Sequence, residues 1–475
     1  MVRVATSSLL EARLVTEPLL AFANGGLHVD PKEGLARFGP RSWSPKRRHP
    51  DVVRVGFVGS ANSVERAMQW LRVAGEGVRG EGPHLSFPGC AEDRGYYTRL
   101  DIADDRTQVL SQRELRLLKD LESDRARFEA TLALLEEKLS LLADLDQAPD
   151  YVVMAIPDQL FKASRAVEYF DADGGRVHRD LRRALKARAM RYRIPTQVVL
   201  GDTTTLKPRP GQDHPAEIAW DFFTGLYFKA GGVPWSPTGL PANTCYIGVS
   251  FYRPLGSSGS KIQTSLVQAF DENGEGLILR GHEFEWDSAR EGTRAPHLPE
   301  ETAAELVNMA LDRYERELRV RPRRVVVHKT SRHWPAETKG FQAALDARVD
   351  LHDLVALRAS DDVVLFPESK YPPLRGTQFR VGDLDYLYTT GFVADLGEFH
   401  GRHVPSPLQL ADHLGHDTAR DDLLKEILVL TKLNWNSARL GGLLPITLRF
   451  SQRVGDILKE LPPTVDPLPQ AKYYM

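Results

Sequence analysis

Residues 112–144, QRELRLLKDLESDRARFEATLALLEEKLSLLAD, keep apolar positions three and four apart with charges between them, which predicts one long amphipathic helix or two in series. Shorter apolar runs behave differently. RVGFVGS (54–60) and YVVMAIPD (151–158) are brief and end at Gly, Ser or Pro, so each reads as a buried strand. The helical pattern SVERAMQWLRV follows the first strand. A basic helix across 178–193 follows the second, then a strand at TQVVL (196–200) and a helix at AEIAWDFFTGLYFKAGG (216–232). Alternating strand and helix predicts a parallel sheet with helices on its faces.

The Gly- and Pro-rich stretch GGVPWSPTGLPAN (231–243) divides this block from a second one. The second opens with a strand at CYIGVSFYRP (245–254). IQTSLVQAF and LILRG then flank DENGEG as a hairpin with an Asn-Gly turn (262–281). A helix (300–317), the strand RRVVVHKTS (323–331), strands at VVLFPE and QFRVGDLDYLYTTGF, a helix through LLKEILVLTKLNWNSA and the closing PITLRFSQRVGDIL complete it. This predicts a mixed α/β sheet, and an α/β protein of two domains, 1–232 and 233–475. A length of 475 residues suits two such domains.

The content of 42% hydrophobic and 27% charged residues is that of a soluble globular protein. No apolar run approaches the roughly 20 residues that span a bilayer. Glu11 and Glu17 interrupt the apolar N-terminal stretch, which makes it a poor signal peptide. Cys90 and Cys245 lie far apart without metal-ligand spacing, so a reducing cytoplasm is expected. A net charge of −2 argues against a surface coated for nonspecific nucleic-acid binding but permits a local basic channel.

Such a concentration exists. In HRDLRRALKARAMRYRIPTQ (178–197), Arg179, Arg182, Arg183, Lys186, Arg188, Arg191 and Arg193 face only Asp180. On a helix Arg182 and Lys186 point the same way, with Arg179 and Arg183 alongside. One reading is a solvated basic face. The other is an anion site, because IPTQ starts a strand beside the helix with Gln197, and Lys229 lies where YFKAGG turns. Cations from two units with an amide between them suit a phosphate.

At these residues the chain resembles the MID domain of Argonaute proteins. The pattern R-x-x-x-K, ten residues, Q, then Y-F-K-A-G-G-x-P-W corresponds to the pocket that seizes a guide strand's 5′-phosphate. The resemblance implies phosphate-binding roles for Arg182, Lys186, Gln197 and Lys229. Arg182 stands where the family usually has Tyr or His, which puts the 5′-nucleotide preference in question. EPLLAFANGG, DPKEGLARFGP, the FPG at 87–89, IPTQ, YFKAGGVPW, LTKLNWNSA, PITLRFSQRVGDIL and KYYM extend the likeness to short prokaryotic Argonautes along the chain. It implies a Rossmann-like MID domain with an N-terminal extension (1–232) and a ribonuclease H-like PIWI domain (233–475). It also implies Mg²⁺ at the phosphate, held by Gln197 and a carboxylate at Met475. A frayed terminus is the competing reading of that tail.

Active PIWI domains hold two divalent metals on converging carboxylates. By resemblance the positions here are Ser250 in CYIGVSF, Thr330 in VVVHKTS and Gln452 in FSQ. Neutral groups at three of four places do not offset metal dehydration, so no catalytic residue is expected. The place of the mobile Glu is not assigned. Asp271, Glu272 and Glu275 read as turn residues, His328 as a core histidine, and Trp286, Trp334 and Trp435 as core or interface. The resemblance implies a 5′-phosphorylated small guide RNA, a single-stranded DNA target and a heterodimeric partner. That partner would be an APAZ-containing protein bearing a TIR or SIR2 NADase or a nuclease, acting in defence against phage and plasmids. The rival readings are a guided nuclease with displaced ligands and a scaffold that uses no guide.

Overall fold

The computed structural model describes residues 10–475 apart from 172–173, 256–260, 270–275, 294, 361, 398, 400–402, 417 and 463–464. Strands Val52–Gly59, Arg99–Val109, Tyr151–Ala155 and Thr196–Val199 form a four-stranded parallel sheet. Side chains alternate between its faces, as a pleated strand requires. Val53, Val55, Phe57, Tyr151, Val153 and Ala155 pack against helices Ala61–Gly75 and Pro215–Lys229, through Trp70, Leu71, Trp220 and Phe223. Val58, Val152, Met154 and Ile156 pack on the other face against Leu132, Leu135 and Leu139 of Asp124–Ala143 and Leu181 and Leu185 of Leu181–Ala189. The 112–144 pattern is therefore two helices, Gln112–Lys119 and Asp124–Ala143. Ser111 and Ser123 each accept a backbone N–H at the respective start, which is what divides them.

The basic segment departs from expectation at its beginning. Arg176–Asp180 is a strand paired antiparallel with Ala166–Phe170, and the helix runs only over Leu181–Ala189 before passing into a 3-10 turn at Met190–Tyr192. Asp180 is the reason: its carboxylate accepts the N–H groups of Arg182 and Arg183 and so fixes the helix start.

The second block builds a nine-stranded sheet among the described residues. Its order is Ala12–Leu14, Thr377–Val381, Leu384–Leu387, Leu408–Gly415, Leu351–Ala359, Arg324–Lys329, Thr244–Tyr252, Lys261–Ala269, Gly276–Glu285. The three strands Thr244–Tyr252, Arg324–Lys329 and Leu351–Ala359 run parallel, and the remaining pairs are antiparallel. Helices Glu300–Leu318 and Pro335–Asp346 cover one face, and Arg420–Leu430 and Ile446–Leu458 the other. Gly248 sits where the last helix crosses the central strand. A Cβ there would lie 2.1 Å from the Thr447 carbonyl oxygen, so this approach needs glycine.

Leu351–Ala359 and Leu408–Gly415 are strands that the local pattern did not predict, whereas VVLFPE (363–368) forms none. The turn DENGEG with Asp271, Glu272 and Glu275 lies outside the described residues. The N-terminal extension joins both blocks. Ala12–Leu14 edges the large sheet, Leu20–Ala21 pairs with Ser236–Pro237, and buried Glu17 binds Arg375 and Lys432 at 2.9 and 2.8 Å. Among the described residues no helix is long and apolar enough to cross a membrane. Both cysteines are buried, and neither is joined in a disulfide among the described residues.

Candidate functional site

A cleft of about 710 Å³ lies between the two blocks, lined by Arg182, Lys186 and Gln197 from the first and Arg449, Gln452 and Arg453 from the second. Lys229, at the end of helix Pro215–Lys229, lies behind the lining residue Gln197. Its Nζ donates to Gln197 Oε1 at 2.6 Å and approaches the Thr196 carbonyl at 3.5 Å. Lys186 Nζ also lies 3.5 Å from Thr196 O and donates to the main-chain oxygen of Met475. The strand start at Thr196–Gln197 thus sits between two ammonium groups, so the structure brings Lys186, Gln197 and Lys229 together. Arg182 stands at the rim, with its guanidinium 4.7 Å from the centre of the Phe161 ring.

The glycines after Lys229 serve the turn. Gly231 has φ of +97°, and a Cβ on Gly232 would collide with the Tyr227 ring at 2.3 Å.

Asp180, Asp213, Asp221 and Asp456 line the cleft beside its cations, but Lys229 behind it is uncompensated. Lys229 is only 1% exposed and, among the described residues, has no carboxylate in ion-pair range. Burial lowers its pKa well below the lysine value, and Lys186 and Arg453 lower it further. Burial likewise brings Lys186 down to about 7, with Arg453 and Arg182 adding to the effect. The other cations of 178–197 divide cleanly. Arg179 points away, buried against Glu460 at 2.8 Å, because it lies on a strand rather than on the helix. Arg183 pairs with Asp456, and Arg188 and Arg191 both pair with Glu136. The solvated-face reading therefore fits Arg188 and Arg191, while the anion-site reading fits Arg182 and Lys186.

Tyr474 is fully buried and Met475 is 4% exposed, both within the main core, so the tail is docked rather than frayed. As they stand, these residues do not fit a Mg²⁺ ion. The Gln197 and Met475 oxygens are hard donors of the right kind, but each is already taken by an ammonium group. A divalent ion there would face Lys186, Lys229 and Arg453.

Ser250 and Thr330 lie apart from this cleft. The parallel register pairs Gly248 with His328, and two further residues bring Ser250 level with Thr330 at the carboxyl ends of adjacent strands. Lys329, next in chain to Thr330, is buried against Glu337. His328 is a core residue: burial lowers its pKa to about 3, and its Nδ1 lies 2.8 Å from Thr447 Oγ1. Gln452 does not join this pair. Thr447 is the residue of the last helix that meets the strand, and Gln452, five residues on, is rotated about 140° around the axis. That rotation puts Gln452 in the basic cleft. The tryptophans are structural: Trp435 and Trp286 are buried, and Trp334 stacks on His297 at 4.3 Å.

Arg449 and Arg453 were not among the residues expected to bind phosphate. With Gln452 and Asp456 they occupy positions i, i+3, i+4 and i+7 of Ile446–Leu458, one polar stripe on a helix whose other face is core. The stripe is legible in RFSQRVGD, but the surface it meets is not.

No protein-family model matches the chain, and no curated protein does. Solved structures do resemble it. Clostridium butyricum Argonaute bound to a guide DNA and a 19-mer target DNA aligns with a TM-score of 0.65 at 16% identity, over 96% of this chain and 54% of that one. Drosophila Piwi gives 0.63 at 14% over 98% and 56%, and A. aeolicus Argonaute 0.59 at 15% over 97% and 54%. The chain spans a little over half the length of these proteins. Its mixed α/β architecture matches their MID and PIWI domains, and the fold is Argonaute-like.

Proposed function

We propose that this protein binds the 5′-phosphate of a guide strand in the basic cleft and uses the guide to recognise a complementary target without cutting it. One observation carries the reading: Lys229 is buried behind Gln197, a lining residue of the open cleft, near Lys186 and Arg453 and, among the described residues, with no carboxylate in ion-pair range. Burying a cation unpaired is costly, and an incoming dianion offsets that cost. A terminal phosphate would take Lys186 from the Met475 oxygen and share Lys229 with Gln197, while Arg182 and Arg453 close from the two domains. Base pairing would then supply sequence recognition, and the second domain would hold the duplex by its backbone.

Ser250 and Thr330, level on neighbouring strands, give the second domain hydroxyls where a two-metal nuclease needs carboxylates, which supports a non-cleaving role. The guide is a 5′-phosphorylated small RNA and the target single-stranded DNA, in the cytoplasm. Signalling falls to a partner chain, an APAZ protein with a TIR, SIR2 or nuclease effector that target binding switches on in defence. The exposed sheet edge Ala12–Leu14, with Leu10 and Leu14 about half exposed, is a surface such a partner would cover.

The test is to purify the protein from cells, label and sequence the nucleic acid it carries, and incubate the loaded protein with matched target. Short 5′-phosphorylated RNA and retained, uncut target are expected. Cleavage opposite the guide's middle, or an empty protein that ignores added guides, overturns the proposal.

A further inference from the structure

Residues 39–50, GPRSWSPKRRHP, form a surface segment of unusual composition. No acidic residue occurs between Glu33 and Asp51, and 39–50 contains Arg41, Lys46, Arg47 and Arg48 but no Ala, Val, Leu, Ile or Met. Arg41 is used internally, donating to Ser236 Oγ at 3.1 Å and to the Phe22 carbonyl at 3.3 Å. Lys46 and Arg48 are exposed and, among the described residues, have no ion-pair partner. Three residues before Lys46 lies Trp43, whose ring stacks on Tyr97 with centroids 3.6 Å apart and planes within 2°. Trp43 is nevertheless 37% exposed, high for so large an aromatic.

The stack is held in place from several sides. Ser42 N donates to the Val233 carbonyl at 3.1 Å, and Ser44 Oγ accepts from Asn24 N at 3.3 Å. His49 links Tyr227 OH at 2.9 Å to the Tyr97 carbonyl at 2.7 Å. Tyr97 takes a left-handed φ of 52°, uncommon for an aromatic residue. Gly39, at φ +76°, leaves the ring space, since a Cβ there would come within 2.7 Å of Tyr97.

We propose that this segment, with Trp43 stacked on Tyr97 and followed closely in the chain by Lys46 and Arg48, is a second binding surface for single-stranded nucleic acid, separate from the basic cleft. A rigid exposed indole offers the π-face on which any base stacks, and the uncompensated cations that follow it in the chain meet the backbone phosphates. An apolar protein partner is disfavoured, because 39–50 has no Ala, Val, Leu, Ile or Met to bury against it and carries four Lys or Arg residues. The surface extends the contact made with a strand beyond its 5′ end, and it holds whether or not the cleft takes a phosphate.

The test uses the full chain carrying Lys186→Ala and Lys229→Ala, which removes the cleft's lysines, and a fluorescent 5′-hydroxyl oligothymidylate followed by anisotropy. Adding Trp43→Ala should weaken binding about tenfold, the effect of losing one base–aromatic stack. Trp43→Phe should restore most of it, which loss of fold would not allow. Lys46→Ala with Arg48→Ala should weaken binding and reduce the salt slope by about 1.4, at roughly 0.7 per phosphate contact on a single strand. Unchanged affinity in Trp43→Ala overturns the proposal, as does a loss that Phe does not rescue. Polyglutamate competing as well as the oligonucleotide also overturns it and assigns the face to an acidic protein.

Discussion

The Lys229 ammonium lies 2.6 Å from the amide oxygen of Gln197, which lines a cleft open to solvent, and among the described residues Lys229 has no carboxylate partner. Replacing Lys229 with Met removes a desolvated amine and keeps its volume. The free protein should gain about 1 kcal/mol of stability, the reward for no longer burying that group. Affinity for a 5′-phosphorylated strand should fall tenfold or more, since a charge-assisted contact contributes about 1.5–3 kcal/mol. Thermal melting and filter binding of the same preparation check both. A variant that loses stability as well as affinity would make Lys229 a structural residue.

Binding should depend on pH. Burial lowers Lys186 to about 7, so in the free protein Lys186 gives up its proton as pH rises through neutrality, and burial also lowers Lys229 well below its usual value. A phosphate restores lost protons on binding. Affinity for the 5′-phosphorylated strand should therefore decline between pH 7 and 9, approaching tenfold per pH unit for each proton taken up. Linkage acts oppositely on the free fold. The unfolded chain holds lysine protons that the native state lacks, so stability rises from about pH 7 toward 10.5, the ordinary lysine value. Calorimetry in buffers of different ionisation enthalpy measures the protons directly. A pH-independent affinity over this range contradicts the geometry.

Gln452 borders the phosphate cleft, so Gln452→Asp should weaken 5′-phosphate binding by repulsion, about three- to tenfold at the partly exposed rim. The triple variant Ser250→Asp, Thr330→Asp, Gln452→Asp should still not cut a matched target with Mg²⁺ or Mn²⁺, because its third carboxylate lies on the wrong helix face. A cleavage gel beside the binding titration decides, and specific cutting by the triple variant would refute this placement of Gln452.

Arg179 and Glu460 join the first domain to the end of the last helix through a buried pair. Glu460→Ala leaves Arg179 buried with Glu129 alone, and should cost about 3 kcal/mol in urea unfolding. A change below about 1 kcal/mol would show that Glu129 compensates fully.

Much of this was legible along the chain, where the causes are local. Short apolar runs ending at Gly, Ser or Pro in RVGFVGS and YVVMAIPD marked buried strands, and the pattern of Arg182, Lys186, Gln197 and Lys229 picked out three residues that line one cleft and a fourth bonded to Gln197 behind it. What escaped depended on distant partners. HRDLRRALKAR looks helical throughout, and only Asp180 as an N-cap, with pairing to Ala166–Phe170, makes its start a strand. LHDLVALRA carries helix formers yet is a strand, because it is held between two neighbours in the large sheet. Arg449 and Arg453 form a visible stripe, but that it faces Lys186 follows only from how the two domains meet.

The most direct test is a comparison of one guide sequence with a 5′-phosphate and with a 5′-hydroxyl, titrated at pH 7 against the wild-type chain and against Lys186→Ala with Lys229→Ala. The expected result is binding of the phosphorylated strand at least tenfold tighter by the wild type, with that preference gone in the double variant. Equal binding of the two strands by the wild type would contradict the phosphate cleft and the guided recognition built on it.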